Sequence, residues 1–142
     1  MKLINKDNTT FKNRIASSQI TELSDYEIFV FGSNLEGFHG GGAARMAMKW
    51  GAVWGQGVGL QGQTYAIPTI HGGVGEIKPY VNDFIAFAES HPEYKFLVTE
   101  IGCGIAGFRP TQIAPLFEKA KTVENICLPQ RFVDIILADS ND

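Results

Sequence analysis

Four short β-forming runs alternate with helix-patterned segments along this chain, and that alternation constrains the fold more than any other feature. Ile28–Phe31 is a continuous apolar run stopped by Gly32-Ser33-Asn34, which reads as a strand buried on both faces. Gln63–Thr69 reads as a second strand, with Pro68 limiting pairing near its end. Lys95–Ile101 is a third, with Phe96-Leu97-Val98 as its core, and Asn125–Leu128 is a fourth, ended by Pro129. Between them, Gly41–Trp50 is rich in helix formers, and Gly51 suits its stop. Pro79–Ser90 carries Tyr80, Phe84, Phe87 and Ala88 at helical spacing, with Pro79 suited to the first helical position. A further helix starts at Pro110 or Thr111 and runs to about Lys121, with Pro115 as a source of a local kink. Phe132–Leu137 fits either a last helix or a last strand. Residues 1–25 are polar and weakly patterned, with turn formers at Asn8, Thr9 and Thr10.

This order predicts one α/β domain over residues 1–142, with a mostly parallel sheet covered by helices on both faces. Ligands of such sheets bind beyond the carboxyl ends of the strands. The rule gathers Gly32-Ser33-Asn34, Thr69-Ile70-His71 and Gly102-Cys103-Gly104 at one rim, although they are far apart in sequence.

The glycines fall in the same region. All 16 lie within residues 32–107, and 13 lie between Gly32 and Gly75, where Glu36, Arg45 and Lys49 are the sole charged side chains. Backbone groups therefore carry the chemistry expected there. Gly57-Val58-Gly59-Leu60-Gln61-Gly62 has the dinucleotide spacing, but a strand follows it where a helix is required. Gly37 and Gly42 have the spacing of a phosphate-binding P-loop, but Ala43 and Ala44 replace its Lys and Ser/Thr. No GxSxG nucleophile turn occurs. Gly40-Gly41-Gly42 survives the context test, because it follows a strand and opens a helix whose first N–H groups lack partners. Gly102–Gly107 repeats the arrangement. Two such loops at one rim can grip a pyrophosphate without Lys or Arg, whereas glycines that serve only tight turns are the plainer alternative.

Several classes are set aside. A net charge of -3 supplies no basic field for sequence-independent nucleic-acid binding. No apolar run approaches the roughly 20 residues of a membrane span, and Met1–Arg14 lacks a signal-like apolar region. Cys103 and Cys127 make no disulfide framework, and His39, His71 and His91 share no metal-ligand spacing, so no metal and no cofactor are implied. A cytoplasmic location is the default expectation.

The segment Phe29–Ala47, "FVFGSNLEGFHGGGAARMA", resembles the macrodomain family of ADP-ribose-binding α/β/α modules: a strand ending in Asn, a loop, then a GGG-type helix start. Thr64–Thr69, "TYAIPT", resembles the family's next strand, and Leu97–Phe108, "LVTEIGCGIAGF", its strand and second phosphate loop. The resemblance covers roughly residues 27–128. It implies a three-layer α/β/α sandwich on a six-stranded mixed sheet, more strands than the pattern supplies. It also implies a small-molecule partner such as ADP-ribose, free or attached to a macromolecule. Under it Gly32, Ser33 and Asn34 form the first rim, with Asn34 on the distal ribose. Gly40, Gly41 and Gly42 line that ribose and the first phosphate, with Ala43 a further ligand-binding candidate beside them. Gly104, Ile105, Ala106 and Gly107 wrap the pyrophosphate with backbone N–H groups, Gly102 and Cys103 are further ligand-binding candidates before them, and Phe108 packs against the ribose. The plain alternatives are a left-handed turn for Asn34 and core packing for Phe108. Departures are also visible. Only Glu22 and Asp25, by proximity, stand in for the family's adenine-reading acid. Ala43-Ala44, Ile70 and Ala106 occupy the places of the residues in the family's two catalytic sets, so both sets are incomplete.

Other side chains are candidates on chemistry alone. His39 and His71 can move protons near neutral pH. Glu100, two residues before the second glycine loop, can activate water or hold a ribose hydroxyl. Cys103 has no evident base and reads as a small buried filler. Trp50 and Trp54 can stack on a base or pack a helix end. The expected function is thus binding of ADP-ribose or a related nucleotide diphosphate, with hydrolysis through Asn34, Glu100 or His39 nested within it. The alternative is a structural or interaction protein of phage or mobile-element type that keeps the fold without the ligand.

Overall fold

A computed structural model describes residues 10–140. Asn8 and Thr9 of the N-terminal turn formers lie outside the described residues. The chain forms β1 (Ile15–Ala16), β2 (Glu27–Ser33), α1 (Gly42–Ala47), β3 (Gly59–Gln61), β4 (Thr64–Pro68), α2 (Val74–Glu89), β5 (Lys95–Val98), α3 (Pro110–Ile113), β6 (Ile126–Pro129) and α4 (Gln130–Ser140). Two 3-10 segments, Met48–Trp50 and Ala114–Thr122, continue α1 and α3. The six strands make one mixed sheet in the order β1-β6-β5-β2-β4-β3, parallel throughout except for β3 against β4.

β2 is central, and all four residues of Ile28–Phe31 are at most 2% exposed, as the unbroken apolar run requires. Alternation along the strands sends Ile28, Val30, Tyr65, Ile67, Phe96, Val98, Ile126 and Leu128 into the larger core. There they meet α2 through Ile77, Val81 and Phe84, the 3-10 segment through Phe117, and α4 through Phe132 and Ile136. Phe29, Phe31 and Ala66 share a smaller core with Ala44 and Ala47 of α1, Ala52 and Ile20. This second layer holds one six-residue helix, its 3-10 extension and irregular chain. The unequal cover leaves a cavity on that face.

Some boundaries differ from expectation for identifiable reasons. β2 continues through Gly32 and Ser33, because the parallel pairing with β4 runs on to Ser33 opposite Pro68. β5 stops at Val98, three residues short of the expected end, and Thr99 turns its N–H and hydroxyl onto Val30 O. α2 starts at Val74, so Pro79 sits inside the helix rather than at its first position. The earlier start is secured by Glu76, whose Oε1 accepts from Gly73 N at 2.7 Å. The expected single helix after Pro110 is a four-residue α-helix followed by a 3-10 segment. Pro115 lacks the N–H that an α-helix would need there. Phe132–Leu137 lies in a helix. β1 and β3 were absent from the sequence pattern. β3 forms a hairpin with β4 across the two-residue loop Gly62-Gln63, with Gly62 at φ +61. The six-stranded mixed sheet is therefore present.

β1 is held from outside the sheet. Arg14 is 9% exposed, and all five of its guanidinium N–H groups are used. They donate to the carbonyls of Thr10, Ala120, Lys121, Val123 and Ile126 at 2.6–3.2 Å. Arg14 thus adds a second donor to Ala120 O and Val123 O, which also accept from Val123 N and Ile126 N, and ties them to Thr10 O and Ile126 O. Burial lowers its pKa, yet a guanidinium is so strong a base that the charge persists.

Candidate functional site

The cavity measures about 890 Å³. Its walls are the chain just after β1 (Ser17–Thr21), the start of α1 (Gly42, Ala43, Met46), and the segments after β5 (Thr99, Glu100) and β6 (Gln130, Arg131). Phe29 and Ile20 give it an apolar lining, and Val98, whose side chain lies in the larger core, borders it at the end of β5. Three of these walls lie at the carboxyl ends of parallel strands, as the topology rule requires.

The rim segments converge beside the cavity. A methyl group placed on Gly32 would lie 3.3 Å from Thr69 Oγ1 and 3.4 Å from Gly102 N, so the three strand ends meet where only hydrogen fits comfortably. A methyl group on Gly41 would lie 3.7 Å from Ile105 Cδ1, so the two glycine loops face each other. In the first loop Gly40 N donates to Phe38 O. The N–H groups of Gly41, Gly42 and Ala43 donate to no protein group among the described residues. In the second loop Cys103 N, Gly107 N and Phe108 N are used locally, on Glu100 O, Gly104 O and Gly102 O. Those of Gly104, Ile105 and Ala106 have no acceptor among the described residues. The helices behind these loops are six and four residues long, so the loop amides rather than helix dipoles dominate the local potential.

The candidate side chains divide. Glu100 lines the cavity, but it is paired to Arg131 by two hydrogen bonds, Nε to Oε2 at 2.7 Å and Nη2 to Oε1 at 2.6 Å. The hydrogen bond from Arg131 holds the Glu100 carboxyl below its ordinary value, which weakens it as a base. Asn34 does not occupy a left-handed turn. Its Oδ1 accepts from Phe38 N at 2.8 Å and its Nδ2 donates to Phe38 O at 3.1 Å, so it ties the 34–38 loop and keeps one N–H and one lone pair free. His39 is 2% exposed, meets Phe31 edge-on at 5.2 Å, and does not line the cavity. Its Nε2 lies 3.0 Å from Gln56 O, and a carbonyl only accepts, so Nε2 carries the proton and Nδ1 is left buried without a partner among the described residues. His71 likewise donates from Nε2 to Glu76 O, at the start of α2.

Ser33 is buried, with its hydroxyl donating to Gly57 O. Cys103 and Phe108 pack against the larger core, which is the plain reading for both. Burial pushes the Cys103 thiol up and nearby Glu100 adds to it, which disfavours the thiolate. Trp50 packs on Phe29 at 4.9 Å, while Trp54 stacks with Phe38 at the surface. Glu22 and Asp25 are exposed and do not line the cavity.

Sequence reasoning missed Ser17–Thr21, Thr99, Gln130 and Arg131. Gln130 and Arg131 follow β6 directly, so the rim rule applied to the fourth strand as well would have found them. The 17–21 segment carries no local signal. Comparison with protein-family models, with curated proteins and with solved structures found no match to this chain. No helix among the described residues is long and apolar enough to cross a membrane.

Proposed function

We propose that this chain binds ADP-ribose or a related nucleotide diphosphate in the manner of a macrodomain. One observation carries the reading: two facing glycine loops, the first of which enters the cavity lining at Gly42 and Ala43, hold the N–H groups of Gly41, Gly42, Ala43, Gly104, Ile105 and Ala106 without acceptors among the described residues. Such a concentration of outward amide donors suits a pyrophosphate, which accepts from every side. The uncharged, apolar-lined part of the cavity suits the nucleoside end. Hydrolysis is the weaker part of the reading, because Glu100 is paired, Asn34 is engaged with Phe38, and His39 lies outside the cavity lining.

The test is thermal shift and calorimetry with ADP-ribose, ADP and NAD. Ligand at about a hundred times its Kd stabilises the folded state by about 2.7 kcal/mol. Gly41→Glu and Gly104→Glu place a carboxylate in the phosphate groove and should each remove the shift. Both should fold, since Gly41 has an extended φ of -154° and nothing lies within 4 Å of a side chain begun at Gly104. No shift with any of the three at millimolar concentration refutes the proposal. That outcome favours the interaction-protein reading, for which the stacked surface pair Phe38 and Trp54, each 56% exposed, is the supporting observation. Release of ADP-ribose from modified protein or nucleic acid would establish hydrolysis.

A further inference from the structure

We infer that the cavity is tolerant of the base, accepting 6-amino and 6-oxo purine nucleotide diphosphates alike, and that Gln19 is the side chain that reads the base. This rests on the nucleotide-diphosphate reading above. Among side chains, the group that discriminates strongly for a 6-amino purine is a carboxylate, an acceptor that cannot become a donor. Among the cavity-lining residues Glu100 is the one carboxylate, and both of its oxygens are taken by Arg131. Arg131 is the one cation there, so the pair leaves the cavity without unpaired charge.

The neutral planar groups on the walls are Gln19 and Gln130. Gln130 is tied down, its Nε2 donating to Asp134 Oδ1 at 2.8 Å. The Gln19 amide has no protein partner among the described residues. Its backbone is anchored, with Gln19 N donating to Ser17 Oγ at 3.0 Å. A free amide on an anchored backbone presents an acceptor and a donor side by side, and a half-turn about its last bond exchanges them. In one orientation it matches the amine donor and N1 acceptor of a 6-amino purine. In the other it matches the carbonyl acceptor and N1–H donor of a 6-oxo purine.

The experiment is calorimetric titration of the full chain with ADP-ribose and with its hypoxanthine counterpart, inosine diphosphate ribose. The expected affinities differ by less than about fivefold, and a larger ratio in either direction overturns the inference while leaving the binding proposal intact. Gln19→Leu should weaken both ligands by at least about threefold and leave the unliganded melting temperature unchanged, since Gln19 is exposed. A smaller loss, or a loss confined to one ligand, overturns Gln19 as the reader. Binding of neither ligand by the unmodified chain refutes the nucleotide reading itself, and this inference with it.

Discussion

Arg14→Ala should be among the most damaging single substitutions in this chain. The guanidinium spends all five donors on backbone carbonyls that come from the N-terminal turn, the end of the 3-10 segment and the start of β6. Three of the five bonds, to Ala120, Val123 and Ile126, are buried. Ala120 O and Val123 O keep one backbone donor each, from Val123 N and Ile126 N, so the cost is that of lost hydrogen bonds to a charged donor, about 1.5–3 kcal/mol each. Relaxation and water entry recover part of the sum, so a loss of about 3–5 kcal/mol is expected, a large share of the 5–15 kcal/mol of a typical domain. For a chain of 142 residues that corresponds to a fall in Tm of roughly 10–15 °C. The partners are dipoles rather than ions, so the loss should be insensitive to added salt. Arg14→Lys keeps the charge but brings at most three donors, and should recover only part of the stability. Urea unfolding followed by tryptophan fluorescence and circular dichroism gives the difference directly. A loss below about 1 kcal/mol for Arg14→Ala would show that solvent replaces the guanidinium readily. The idea that Arg14 fastens β1 and the cavity wall would then be wrong.

Three further outcomes follow from the geometry. Gly57→Ala should destabilise strongly, because its methyl group would overlap the backbone oxygens of Asn34 and Leu35, the latter at 2.6 Å; Gly104→Ala, with open space around it, should be near neutral in the same urea assay. Glu100→Gln should lower stability at neutral pH by less than about 1 kcal/mol, because Arg131 is 63% exposed and the pair is screened. The Glu100 pKa is depressed in the folded state, so its contribution is present above the ordinary carboxylate value and is lost as pH falls through the folded value; the two proteins should converge in acid. Tyr65 is buried, and burial, with Asp83 nearby, pushes its pKa up to about 12. Its contribution is therefore complete below pH 10 and falls away as pH rises from 10 towards 12, by an amount on the order of 2 kcal/mol. Tyr65→Phe should flatten that alkaline decline in stability-against-pH measurements, and an unchanged decline would count against the burial of the phenol.

The central part of the fold was legible because its signals are local. Ile28–Phe31 is apolar at every position, which only a strand covered on both sides explains, and α2 shows its periodicity through Phe84 and Ala88. The convergence of the glycine loops was legible too, through the rule that parallel strands deliver their carboxyl ends to one rim. The candidate side chains were less so. Glu100 looked like a base because nothing near it in sequence reveals Arg131, which lies 31 residues away. His39 looked like a site residue because it precedes Gly40, yet the fold buries it against Phe31.

By itself the sequence determined the four strands that carry their own apolar patterns, the helices between them and the charge-poor glycine loops. Those features follow from neighbours in the chain, through side-chain alternation, helix formers and glycine's freedom from a Cβ. Only the tertiary structure decided the rest. β1 and β3, two and three residues long, are too short to show a period and exist through pairing with β6 and β4. The cavity exists because one face of the sheet has less helix to cover it. Its lack of unpaired charge was decided by a pairing between the segments after β5 and β6, which only long-range packing could bring together.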